Sequence, residues 1–241
     1  MTVRNRKVKS RARKVETKIV DGCEYKMYNS RFIDGFSAIH ISDHMTGKMQ
    51  DVPSISTSCL INPYCKARLE NGIGICKHCF ANATLKMRPV VRKNMAENYE
   101  ILSQHILPKE VLPKFCDDVE IVRLESFGDV GTATQAINYL NIVRKNPHVF
   151  FAAWTKNAML WSDALKWGEG KPENLNLVIS SLELNRQRES IPRWADIVFT
   201  VWEKDKKPPK EINCGARSCD KCRSCYRKYG NEIKVINEYL K

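Results

Sequence analysis

From residue 120 onward the chain alternates between short apolar runs and longer amphipathic stretches. "EIVRL", "VFFAAW", "LNLVIS" and "DIVFTVW" start near residues 120, 149, 175 and 196, and all are rich in β-branched and aromatic residues. Continuous apolar runs of this length predict buried strands. Between the first two, "TATQAINYLNIVRKNP" puts Ala136, Leu140 and Val143 on one helical face, and Pro147 closes the segment. Between the next two, "KNAMLWSDALKWG" predicts a helix ending at Gly168. The last link is short and polar, with Pro192 in it. Strands alternating with helices predict parallel βαβ units, an α/β fold. Ligands of such folds sit at the C-terminal ends of the strands, which here read "ESFGD", "WTKN", "SSLELN" and "WEKD".

Upstream the pattern is less regular. "FSAIHIS" alternates like a strand, and "DHMTGKM" reads as a turn. "VVRKNMAENYEILSQHIL" predicts a helix, with Met95, Tyr99, Leu102 and Ile106 at helical spacing. Residues 1–18 read as a basic flexible arm, because "VRNRKVKSRARK" carries Arg or Lys at nearly every second position and no acid. The organisation expected is therefore this arm, an α/β domain over 19–212, and a cysteine-rich metal-binding segment over 213–241.

The 241 residues suffice for a core that needs no staple. A net charge of +13 favours contact with a polyanion, so nucleic acid is a candidate partner through the arm. No apolar stretch long enough to span a membrane is present, and the N-terminus lacks a signal peptide's apolar core. The expectation is a cytoplasmic protein without a membrane partner.

In a reducing compartment the ten cysteines are better read as metal ligands than as disulfides. Cys23 and Cys116 stand alone and read as small buried hydrophobes. The second group, Cys214, Cys219, Cys222 and Cys225, is spaced C-x4-C-x2-C-x2-C. A C-x2-C unit lets two thiolates bind one centre from a tight turn. Three cysteines separated twice by two residues are more typical of iron–sulfur ligation than of zinc, which remains the alternative. Arg217, Lys221, Arg223, Arg227 and Lys228 would offset the negative charge of a thiolate-bound centre. The first group, Cys59, Cys65, Cys76 and Cys79, is looser, and Gly72 and Gly74 let the chain turn back between its members. His78 lies inside the "CKHC" pair, as a ligand or as a solvent-facing residue.

With these pieces in order the chain resembles the phage and mobile-element family known as gene product 88. The resemblance is carried by "SISTSC…YC", "CKHCFAN", "VRLESFGDV", "FFAAWTKN" and the closing "SCDKCRSCY", over roughly residues 52–228. It departs in the first group, where the "LENGIGI" loop and one cysteine look added. That family in turn looks like a compact relative of radical S-adenosylmethionine enzymes, which use a partial (β/α) barrel of parallel strands. The resemblance implies that Cys65, Cys76 and Cys79 hold a 4Fe-4S cluster able to take S-adenosylmethionine. It implies a second 4Fe-4S cluster at the terminal group. Cys59 is either a fourth ligand, which closes the first site, or none.

Two functions follow. The first is a radical S-adenosylmethionine-like enzyme of unknown substrate. Gly128, Asp129, Thr155 and Ser180 would then line the cofactor pocket. Asp129 would accept a hydrogen bond from a ribose or amino group, and Lys156 would meet a carboxylate or phosphate. Asp129 can equally be a capping or turn residue, and Lys156 an exposed first-turn lysine. The second is a non-catalytic nucleic-acid-binding protein stapled by zinc or iron–sulfur centres, with aromatics among basic residues in "CYRKYG" and "WEKDKKPPK". No G-x-S-x-G, P-loop or G-x-G-x-x-G motif occurs in the right setting, which sets aside those enzyme classes.

Overall fold

The computed structural model describes residues 14–240 except 44, 216, 217 and 231. Strands β1 (Val15–Val20) and β2 (Cys23–Asn29) form an antiparallel hairpin, and β3 (Phe36–Ser37) pairs with β2. The hairpin turns at Asp21-Gly22, both in the left-handed region at φ 50° and 77°. This is the two-residue turn whose twist matches that of paired strands. The larger sheet begins at β4 (Ser54–Ile55), followed by α1 (Pro63–Glu70), α2 (Phe80–Met87) and α3 (Pro89–Gln104). Then come β5 (Ile121–Leu124), α4 (Ala133–Lys145), β6 (Phe150–Thr155), α5 (Ala158–Trp167), β7 (Leu175–Ser180) and β8 (Ile197–Trp202). A four-residue α6 (Cys219–Cys222) precedes β9 (Lys234–Tyr239).

Among the described residues the larger sheet has six strands, all parallel, in the order β4-β5-β6-β7-β8-β9. The order follows the sequence with no reversal. Alternation along each strand separates two faces. Val122, Leu124, Phe151, Ala153, Leu175 and Leu177 share a core with α4 and α5, where Trp161 is fully buried and stacks on Tyr139. Burying an aromatic or branched side chain of this kind contributes roughly 1.5–3 kcal/mol. The intervening residues Arg123, Trp154, Ser180, Phe199 and Glu238 border a cavity on the other face.

The four apolar runs and the three long helices lie where their patterns predict. Several other expectations need correction. The arm expected over 1–18 lies outside the described residues as far as 13, and from Val15 the chain is in β1. Only Phe36–Ser37 of "FSAIHIS" is strand, because Ala38 leaves β2 and donates instead to the Val111 carbonyl (2.9 Å). Ile106 lies beyond the end of α3 and is exposed. Cys23 faces solvent on the hairpin rather than a core, and Cys116 is half-buried. The segment 213–241 supplies a strand of the main sheet, since β9 pairs with β8 over six residues. No described helix is long and apolar enough to cross a membrane.

Candidate thiol-lined site

The cavity opposite α4 and α5 has a volume of about 930 Å³. Cys59, Cys65, Cys76 and Cys79 border it, and so do Cys214, Cys219, Cys222 and Cys225. Cys23 and Cys116 do not. All ten cysteines are free thiols. Among the described residues no group of three or more His, Cys, Asp or Glu side chains is arranged as the ligand shell of a metal ion.

The first thiol group gathers at the C-terminal edge of the sheet. Cys59 follows β4 and is buried in a small apolar cluster with Ala81, Leu85 and Met95, against which Cys65 and Cys79 also pack. Asn62 starts α1 by accepting hydrogen bonds from the Tyr64 and Cys65 amides (2.9 and 3.4 Å). Its Nδ2 donates to the Asp129 carbonyl (2.6 Å), which fixes α1 to the loop after β5. Cys76 lies in a 3-10 turn pressed against the end of β7, where Ile75 N–H donates to the Leu182 carbonyl (2.9 Å). Gly74 permits that approach: its φ is +55°, and a Cβ there would lie 2.0 Å from the Leu182 oxygen. The Arg68 Nε–H points at Cys76 Sγ (3.4 Å).

Cys79 sits at the N-terminus of α2. The Cys59 thiol donates to it, and the Ala81 and Asn82 amides add to that, so the Cys79 thiol is pulled below its ordinary range against burial. Cys59 is pushed up correspondingly, by that same hydrogen bond and by burial. Burial also raises Cys65, while Lys156 pulls the other way. Cys79 thus lies at a helix N-terminus with donors directed at its sulfur, a setting that favours thiolate.

The second group covers the inner face of the sheet. Asn176 on β7 donates to the Cys225 and Arg227 carbonyls (3.0 and 2.8 Å), and Cys214 N–H donates to the Asn237 carbonyl on β9 (3.0 Å). Cys219 and Cys222 lie on α6, which ends at Arg223 in the left-handed region. Arg223 pairs with Asp220 (3.1 Å) and with Glu120 at the start of β5. Lys48 reaches Cys214 Sγ (3.6 Å) and Glu238 Oε1 (2.7 Å). Burial raises the Cys214 and Cys219 thiols and pushes Cys225 up to about 12. For Cys222 burial is outweighed by hydrogen bonds from Ser224, and its thiol is lowered. Arg123 stacks its guanidinium 3.6 Å above the Trp154 ring and draws the Cys219 and Cys225 thiols down. Of the cations expected around this group, Arg217 lies outside the described residues.

Gly128, Asp129, Thr155, Lys156 and Ser180 are brought together on the cavity wall. Asp129 is buried and already engaged: Oδ1 accepts from Thr155 Oγ1 (2.6 Å) and Val130 N–H (2.8 Å), and Oδ2 from Lys156 N–H (2.7 Å). It therefore ties the loop after β5 to the end of β6. Burial raises its carboxyl, against the pull of Lys156 and Thr155. Lys156 is half-buried on the cavity wall, and its charge draws down the Asp129 carboxyl and the Cys65 and Cys79 thiols. Ser180 lies at the end of β7, where its carbonyl accepts from Arg188 (3.4 Å). His78 is exposed at the cavity border.

Sequence reading missed Glu125. Its backbone is left-handed (φ 56°), and its carboxylate accepts from Thr57 N–H (3.1 Å), Thr57 Oγ1 (2.8 Å), Gln135 Nε2 (2.7 Å) and Tyr139 Oη (2.6 Å). It knots the start of the Thr57–Cys59 loop to α4. A lone glutamate in "RLESFGD" gives no such signal, because its partners lie 10 to 68 positions away.

The family model described as gene product 88 matches residues 25–235. No curated protein matches the chain, and no solved structure does.

Proposed function

Given that the chain belongs to the gene product 88 family, we propose that it is an iron–sulfur protein with two cysteine-ligated centres, acting as a radical S-adenosylmethionine-like enzyme. The observation that carries this reading is that all eight clustered cysteines border one cavity while the two isolated ones do not. The donor set fits: thiols in fours, with Arg68, Lys156, Lys48 and Arg123 facing them to offset a thiolate-bound charge. Two buried donors that line the cavity with the second group, Arg123 Nε and Tyr226 Oη, have no acceptor among the described residues.

On this reading Cys65, Cys76 and Cys79 hold the reactive centre. Cys59 serves as hydrogen-bond donor to Cys79 or as a fourth ligand. Cys214, Cys219, Cys222 and Cys225 hold the second centre. A 4Fe-4S cluster with one open iron supplies one-electron reductive chemistry when S-adenosylmethionine is bound. Lys156 meets an anionic group of the ligand, while Asp129 holds Thr155 and the Lys156 backbone in place. The parallel sheet, ordered as in the sequence and lining one cavity from β5 to β9, supports a partial (β/α) barrel. A second reading, a non-catalytic nucleic-acid binder stapled by zinc or iron–sulfur centres, is supported by the net charge of +13.

Anaerobic purification followed by iron, sulfide and zinc analysis separates the two. About eight iron and eight sulfide per chain, for two cubanes, with an EPR spectrum perturbed by S-adenosylmethionine, supports the enzyme. Zinc without sulfide overturns it.

A further inference from the structure

Tyr226 and Arg123 meet the second thiol group from the sheet side. Tyr226 directly follows Cys225, is 5% exposed, and packs with Met49, Val52, Ile121 and Ala152 under Trp154. Its hydroxyl has no hydrogen-bond partner among the described residues. The Arg123 Nε–H is likewise buried and unpartnered, and the guanidinium is held flat against Trp154 at 3.6 Å. Cys219 and Cys225 pack against this same cluster, as does the Trp154 ring that carries Arg123. Leaving a buried O–H or N–H unpaired costs free energy, and a phenylalanine would fill the same space without that cost. These donors therefore await an acceptor, and both residues line the cavity at the stretch that Cys219 and Cys225 also border.

We propose that Tyr226 and Arg123 are positioning residues that donate hydrogen bonds to sulfur atoms of the second centre and set its reduction potential. The inference rests on the iron–sulfur reading above. Reduction adds negative charge to a thiolate-bound cluster. Donors and a cation directed at its sulfurs stabilise the reduced form and raise the potential. The first group has no matching pair of orphaned donors among the described residues. Its sulfurs instead meet Arg68 and the α2 amides.

The test uses full-length, anaerobically purified wild type, Tyr226→Phe and Arg123→Gln. Each is assayed first for iron and sulfide and then titrated electrochemically while EPR follows each centre. We expect Tyr226→Phe to keep the full iron and sulfide content and to move one of the two midpoints to more negative potential, leaving the other in place. Arg123→Gln should move the same midpoint in the same direction. Unchanged midpoints in both variants at full cluster content overturn the proposal. Absence of sulfide from the wild type overturns the iron–sulfur reading itself, a result distinct from unchanged midpoints.

Discussion

At Gly128 there is no room for a methyl group. A Cβ would lie 2.6 Å from the Thr57 carbonyl oxygen, 2.7 Å from its hydroxyl and 2.8 Å from Glu125 Oε2. The first of these is backbone and cannot swing aside. Gly128→Ala should cost about 1–3 kcal/mol, seen as a lower urea midpoint with unchanged slope. Glu125, the neighbour in that contact, gives a pH signature. Burial holds its carboxyl up at about 7 against an ordinary 4.5, although Tyr139 and Thr57 hydrogen bonds pull it down. Below pH 4.5 folded and unfolded chains both carry the proton. As pH rises toward 7 the unfolded chain loses it first, so the residue's contribution to stability declines over that window. At about 1.4 kcal/mol per unit the decline is on the order of 3 kcal/mol. Unfolding curves between pH 4.5 and 7 should therefore be flatter for Glu125→Gln than for wild type. Equal slopes would refute this.

At the scale of elements, α1 shows how one side chain positions a thiol. Asn62 caps the helix that carries Cys65 and also fastens it to Asp129. Removing the cap in Asn62→Ala should cost about 1–2 kcal/mol. Asn62→Asp should restore the cap but not the Nδ2 donor, and so recover only part of the loss in the thermal midpoint. If both variants match wild type, the capping account of α1 fails. The hairpin of β1 and β2 is the converse case, since its turn is written in two adjacent residues. Asp21-Gly22 is a legible hairpin signal, but its flanking strands alternate weakly in the sequence because the hairpin leaves residues such as Val15 and Ile19 exposed.

For the whole molecule, β9 couples the sheet to the second thiol group. Asn237 accepts at its carbonyl from Asn213 and Cys214 N–H and at Oδ1 from Trp202 Nε1 (3.0 Å). Asn237→Ala keeps that carbonyl but removes the acceptor for Trp202 and the Nδ2 donor to the Lys210 and Glu211 carbonyls (3.4 and 3.3 Å). It should therefore lower stability and, on the metal-centre reading, loosen the segment leading to Cys214, measured as metal lost during dialysis against a chelator. Stable retention would show that the sheet and the thiols are not coupled through this residue. What the sequence alone determined is what lies close along the chain. The buried strands after residue 120, the helices between them, the two cysteine quartets and the polar strand ends all follow from periodicity and spacing. The tertiary structure decided what depends on distant partners. It turned the C-terminal segment into the sixth strand, engaged Asp129 inside the protein and buried Glu125 under four donors. It also brought two quartets separated by more than a hundred residues onto one cavity. Local patterns report which face of an element is apolar; only packing fixes which faces meet.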